Sequence, residues 1–263
     1  MFSASTIAGL IVCGLLCILI PIGAVIIFKM KNREVSLLGA LWGALGFVVF
    51  ALILEQILHA VMLPILKDTV VPYIIYGVLA AGIFEETGRF VVFKTLMRKN
   101  NSAKDSLMYG LGHGGIESIA VAGTTMISYG IMAVIVNTAG MDAVLAMTGA
   151  TDEATIAIAT QTLEALTAQT FGISLVAVFE RLLAMTLHVS LSVWVFRAAK
   201  EKGKLWLYPA AILAHAIADL PAVLGQKQII PIWAIYVIMA ILDVIFVCIT
   251  VKIYKSMKKK ETV

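Results

Sequence analysis

The stretch Phe84-Glu85-Glu86-Thr87-Gly88-Arg89 decides how this chain reads. It lies inside an apolar run, from Val70 to Phe93, long enough to cross a bilayer. A charged side chain in the middle of a membrane helix costs roughly 2.5–3.5 kcal/mol on insertion scales, so charges kept there point to function. On a helix Glu85 and Arg89 share a face at i, i+4, and Glu86 sits about 100° further round. Arg89 can neutralise one carboxylate, leaving the other as a candidate acid or base, because two close like charges resist joint ionisation. A structural ion pair between helices is the competing reading; the doubled carboxylate favours function.

Composition fixes the class. The 263 residues are 61% hydrophobic and 14% charged, with a mean hydropathy of +0.99, which implies an all-α, polytopic membrane protein and excludes an ordinary soluble domain. A net charge of +4 in such a chain concerns topology and anionic lipid, not nucleic acid. Cys13, Cys17 and Cys248 sit in apolar segments without a CxxC pair, so no disulfide framework or thiolate metal site is expected.

About seven transmembrane helices are expected: Ala4 to Phe28, Ser36 to Leu63, Val70 to Phe93, Leu107 to Val136, Gly172 to Phe196, Leu205 to Leu224 and Pro231 to Tyr254. Gly39, Gly43 and Gly46 give the second span a small-residue face for close packing. The whole chain, 1–263, reads as one transmembrane helical domain without internal repeats. Residues 137–170 form its longest connection, partly helical, with Thr151 or Asp152 as an N-cap.

Basic residues set the orientation. Lys29, Lys31 and Arg33, then Lys94, Arg98, Lys99 and Lys104, then Arg197, Lys200, Lys202 and Lys204, and finally Lys252, Lys255, Lys258, Lys259 and Lys260 all fall on one side. Only Lys67 and Lys227 lie in the opposite loops, while Arg89 and Arg181 are inside spans. The positive-inside rule then puts the N-terminus outside, the C-terminus in the cytoplasm and the 137–170 connection outside. Along the helices, Glu85, Glu86, His113, Glu117 and His188 reach a similar level, about two to three turns from the cytoplasmic end, with His215 and Asp219 about a turn deeper. A polar chamber opening toward the cytoplasmic half is expected.

Two pairs carry i, i+4 spacing, His113 with Glu117 and His215 with Asp219; in each the carboxylate can fix the tautomer of the imidazole. Interhelical hydrogen bonding explains either pair alone equally well. Glycines flank His113 on both sides and would allow a backbone or a substrate strand to approach. His188 with Ser192 is a weaker pair. Glu180 with Arg181 reads as structural, Asp243 as a packing acid, and Glu55 with His59 as a separate contact near the opposite face.

The ordered set Glu85-Glu86-x-x-Arg89, His113-x-x-x-Glu117, His188 and His215-x-x-x-Asp219, on successive spans, resembles the YhfC-type membrane peptidases. These are related to PrsW and to the CAAX prenyl endopeptidases and bacteriocin-processing enzymes. The resemblance covers nearly the whole chain. PrsW-like proteins end the first motif in Lys, where this chain has Arg89, and begin the second with Phe, where it has His113. The resemblance implies an intramembrane endopeptidase of a bacterial plasma membrane, acting on a membrane protein or lipopeptide.

Hydrolysis in a bilayer needs a water, a base and oxyanion donors. Glu85 or Glu86, with His113 or His188, could supply the base, and His215, oriented by Asp219, the oxyanion donor or the acid; Arg89 would hold the carboxylates. This glutamic reading needs no cofactor. A metal-dependent alternative would use His113, His188 and His215 with a Glu around Zn²⁺. The glutamic form is preferred, because no helix carries a ligand pair and its geometry is less exacting. A proton-coupled transporter and a non-catalytic scaffold are the competing classes; the lack of an inverted repeat argues against the first.

The topology is directly testable. A single Cys at Thr151, in a variant without Cys13, Cys17 and Cys248, should be labelled from outside intact cells by an impermeant thiol reagent. Labelling only after permeabilisation reverses the orientation.

Overall fold

Where a chain is surrounded by lipid, every backbone N–H and C=O must be satisfied within the segment, and a helix does this. The computed structural model describes residues 1–261, and among them the regular structure is entirely helical. In chain order it comprises α1 (Ala4–Lys31), α2 (Leu38–Phe47), a π-helical segment (Val48–Glu55), α3 (Gln56–Leu66), α4 (Val71–Lys94), α5 (Ala103–Glu117), a second π-helical segment (Ser118–Gly123), α6 (Thr124–Ala139), α7 (Met141–Thr148), α8 (Glu153–Leu166), α9 (Phe171–Lys200), α10 (Leu207–Gln226) and α11 (Ile232–Glu261).

Among the described residues, six continuous helices are long and apolar enough to cross a membrane: Ala4–Lys31, Leu38–Leu66, Ala103–Ala139, Phe171–Lys200, Leu207–Gln226 and Ile232–Glu261. The segment expected as a third span forms α4, but Glu85, Glu86 and Arg89 hold its apolar character below that of the other six. Pro64, just beyond the expected end of the second span at Leu63, lies inside α3. Pro72 opens α4, where a missing N–H is harmless.

The chain separates into two compact units. The first comprises Met1–Ile20 and Ser118–Leu182. Its apolar core joins Leu10, Cys13 and Cys17 to Met126 and Val178, and Phe2 to Ala133, Val144 and Leu163. Asn137 ties down the start of the chain, accepting from the Phe2 N–H at 2.7 Å and donating to the Phe2 carbonyl at 2.8 Å. In the 137–170 connection Asp152 caps α8 as expected, accepting from the Thr155 N–H at 3.0 Å. That bond holds the Asp152 carboxyl below its ordinary pKa.

The second unit comprises Pro21–Glu117 and the chain from Leu183 onward. Its core, including Phe93, Met97, Tyr109, Leu191 and Phe196, packs α4, α5, α9 and α10 together. One end of these helices is basic: Lys200 donates to the carbonyls of Met97 and Arg98 at 2.7 and 2.9 Å, and Lys104 pairs with Glu34 at 2.5 Å. The Lys104 ammonium holds the Glu34 carboxyl below its usual pKa. At the far end Lys227 donates to the Lys67 carbonyl at 2.8 Å, and Tyr73 to the Gln226 side chain at 3.2 Å.

The expected glycine face of α2 is real, and its partner is α5. A Cβ on Gly43 would strike the Tyr109 carbonyl and come within 2.8 Å of the His113 nitrogen. On α5, a Cβ on Gly112 would overlap the Ala40 backbone, and one on Gly110 would reach Val189 Cα at 2.6 Å. The glycines around His113 therefore serve helix packing, letting α2 and α9 close on α5.

Because the obstructing atoms are backbone, Gly43→Ala and Gly112→Ala should each destabilise the protein by about 1–3 kcal/mol. Gly23→Ala, whose Cβ meets nothing within 4 Å, is the control. Thermal melts in detergent should show clear losses for the first two and none for the control.

Candidate active site and metal centre

Every residue singled out in the sequence motifs lies in the second unit, carried by α4 (Glu85, Glu86, Arg89), α5 (His113, Glu117), α9 (His188, Ser192) and α10 (His215, Asp219). The helices supply one or two groups each, and packing assembles them.

Arg89 is wholly buried and forms the hub. Its Nε lies 3.1 Å from Glu86 Oε2, an ion pair without the alignment of a hydrogen bond. Its Nη1 donates to the His188 carbonyl at 2.6 Å and to Ser192 Oγ at 2.8 Å, and its Nη2 donates to His188 Nδ1 at 3.1 Å. The partner is thus Glu86 at i, i+3, and not Glu85 at i, i+4 as the helical wheel suggests. One guanidinium joins the carboxylate of α4 to the backbone and side chains of α9.

That last bond also fixes a tautomer. A guanidinium only donates, so His188 Nδ1 accepts and the ring proton is on Nε2. Nε2 faces Glu117, with which it makes a short contact that suits an N–H donating to the carboxylate. Glu117 therefore serves His188 across the helices, and not His113 on its own helix as the i, i+4 spacing predicts. His113 turns the other way: its Nε2 is 2.9 Å from Glu85 Oε2, while Phe47 packs edge-on against its ring at 5.2 Å. His113 Nδ1 is buried without a hydrogen-bond partner.

A second arm runs through His215. Its Nδ1 is 2.8 Å from Glu86 Oε1, and its Nε2 is 3.4 Å from Asp219 Oδ2. The expected His215–Asp219 pair is present, extended by Glu86. The His188 and His215 rings lie 5.5 Å apart, so the two arms meet.

Glu85, His113 and His188 each offer a ligand-type atom within 4.8 Å of the other two. Glu85 Oε2 lies 3.7 Å from His188 Nδ1. One carboxylate and two imidazoles make the donor set of many catalytic zinc sites, and a carboxylate on the second nitrogen of a ligating histidine is the usual outer support. The residues present fit a divalent metal. His215, the third histidine of the metal alternative, pairs with Glu86 and Asp219 and lies outside this cluster.

Toward the basic end, Phe93, Met97, Met108, Tyr109 and Phe196 are buried around the motif residues. Toward the far end, side-chain exposure rises from 0% at Glu86 to 15% at Glu117 and 31% at Asp219. The expected Glu55–His59 contact is present at 3.2 Å, and Glu55 reaches further than that pairing alone suggests. It is buried beside this chamber, within electrostatic reach of His215, Asp219 and Glu117. The remaining acids behave as expected or nearly so: Glu180 pairs with Arg181, and Asp243 is buried with Oδ2 lacking a hydrogen bond.

Metal-type donors converging from three helices of an apolar bundle define a polytopic membrane protein with a buried Glu/His centre. The chain belongs to the YhfC intramembrane metalloprotease family, whose model matches residues 16–260. It is 34% identical over 236 residues to the uncharacterized membrane protein YhfC of Bacillus subtilis (strain 168), covering 88% of this chain and 89% of that protein. No solved structure matches the chain.

Breaking a buried ion pair by removing one partner costs about 3–5 kcal/mol, because the other charge is left uncompensated. Arg89→Met and Glu86→Gln should each destabilise on that scale. The double variant should lose less than the sum of the two, as measured by unfolding in a double-mutant cycle.

Proposed function

We propose that this protein is a metal-dependent intramembrane endopeptidase, with Glu85, His113 and His188 as the metal-holding residues. The convergence of these three side chains from α4, α5 and α9 carries the reading, and the family description agrees with it. Zn²⁺ suits one carboxylate and two imidazoles. Bound there, it would polarise a scissile carbonyl or lower the pKa of a water. The glutamic form preferred from the sequence gives way to this one. The objection to a metal was that no helix carries two ligands, and tertiary packing supplies what local spacing lacks. The direct His113–Glu85 hydrogen bond is the one observation that favours the glutamic alternative.

The protein's own groups divide the remaining work. Arg89 occupies Glu86 and the His188 carbonyl, which fixes α4 against α9. His188 Nδ1 accepts from Arg89 in this conformation, so holding a metal requires that bond to be given up. Glu86, engaged on both oxygens, orients His215 rather than acting as a base. Glu117, partly exposed and against His188 Nε2, is the carboxylate we assign to take a proton from the attacking water. His215, between Glu86 and Asp219, is placed to give a proton to the leaving amine. The reaction consumes one water and leaves a carboxyl and an amino terminus.

The substrates are membrane-embedded proteins or lipopeptides. We further infer that α4 is a seventh span and that the basic end faces the cytoplasm, with the N-terminus outside; the clustering of Lys and Arg supports this. Kinship to PrsW and to the prenyl endopeptidases rests on the Glu-Glu, His and His-x-x-x-Asp motifs alone.

Purified protein should contain about one zinc per chain and cleave membrane-embedded peptides, with activity lost on exhaustive chelation and restored by Zn²⁺ or Co²⁺. Glu85→Gln, His113→Ala and His188→Ala should lose metal and activity together. Glu117→Gln should keep the metal while activity falls about 10–100-fold. Full activity in a metal-free preparation sinks the metal reading and restores the glutamic one.

A further inference from the structure

Glu55, His59 and Tyr76 form a polar line that the mechanism above does not use. Glu55 ends the π-helical segment Val48–Glu55, and π-turns inside helices often mark functional sites. His59 Nε2 lies 3.2 Å from Glu55 Oε1, and His59 Nδ1 lies 2.6 Å from the Tyr76 hydroxyl. Both nitrogens of His59 are thus engaged, one toward α4 and one toward Glu55. Tyr76 lies on α4 between Glu85 and the far end, where Tyr73 meets Gln226 and Lys227 meets Lys67.

The site needs such a line. Hydrolysis consumes one water per turnover, yet Glu86, Arg89 and His113 are wholly buried, and so are the aromatic and methionine side chains Phe93, Met97, Met108 and Tyr109 toward the basic end. The polar groups that gain exposure, Glu117, His59 and Asp219, all lie on the far-end side of the buried hub. Three ionisable side chains facing lipid would each be costly, whereas facing a water-filled cleft they are not. On the same helix, Ile57 and Val61 are exposed and apolar, as lipid-facing residues should be.

We propose that the Glu55–His59–Tyr76 line borders a hydrophilic cleft through which water reaches the site from the far end of the helices. This rests on the hydrolytic reading, but the cleft can be tested without it. Glu55 and His59 act here as positioning residues for water and not as catalytic groups.

The test uses purified full-length protein without native Cys. Single Cys residues are placed at His59, at Met62 (one turn further on the same face) and at the controls Ile57 and Val61. A small cationic methanethiosulfonate is the probe. Cys at His59 and Met62 should react at least tenfold faster than at the controls. Met62→Cys leaves the polar line intact, so misfolding cannot explain its result. In the activity assay, Glu55→Leu and His59→Phe should lower kcat about tenfold with KM little changed, and His59→Gln should recover most of the loss. Equal reactivity at all four positions overturns the cleft, as does full kcat in the apolar variants. Fast labelling of a protein that cleaves nothing keeps the cleft and rejects the protease.

Discussion

The buried guanidinium of Arg89 is the contact on which the centre depends. It is held by a carboxylate of its own helix and by the carbonyl, imidazole and hydroxyl of α9. A charge in that position is tolerable only if its donors are filled, so α4 and α9 cannot slide or rotate independently. Through His188 the constraint passes to Glu117, and through Glu86 to His215 and Asp219. Site geometry and helix packing are therefore one problem here. The ionic network carries specificity of register more than it adds stability, since buried pairs recover little beyond their desolvation cost.

Glycine does the complementary work. Where Arg89 pulls helices together through charge, Gly43, Gly110 and Gly112 remove the side chains that would keep α2, α5 and α9 apart. His113 stands in the middle of this close-packed region. Its ring lies 5.2 Å from Phe47, 5.9 Å from Tyr109 and 4.8 Å from the His188 ring, and its Nε2 meets Glu85.

Much of this was legible in the sequence. Apolar runs located the helices to within a few residues, the 39–46 glycines announced a packing face, and Asp152 announced a cap. Every motif residue proposed for the site lies in one network. The pairings were not legible: i, i+4 spacing describes a single helix, while His113 and Glu117 found partners on other helices and Arg89 took the i, i+3 neighbour of its own helix. Glu86 displaced Glu85 at Arg89, and His188 displaced His113 at Glu117.

The polarity of α4 bears on how the protein is made. Glu85, Glu86 and Arg89 leave α4 a poor candidate to enter lipid alone, yet its partners lie downstream: His113 next, then His188, and His215 more than a hundred residues later. Before His113, His188 and His215 are synthesised, the Glu86–Arg89 pair is the part of this network that α4 can form by itself. If α4 crosses the bilayer, its commitment to lipid is therefore coupled to the arrival of α5, α9 and α10, and biogenesis becomes a cooperative late step.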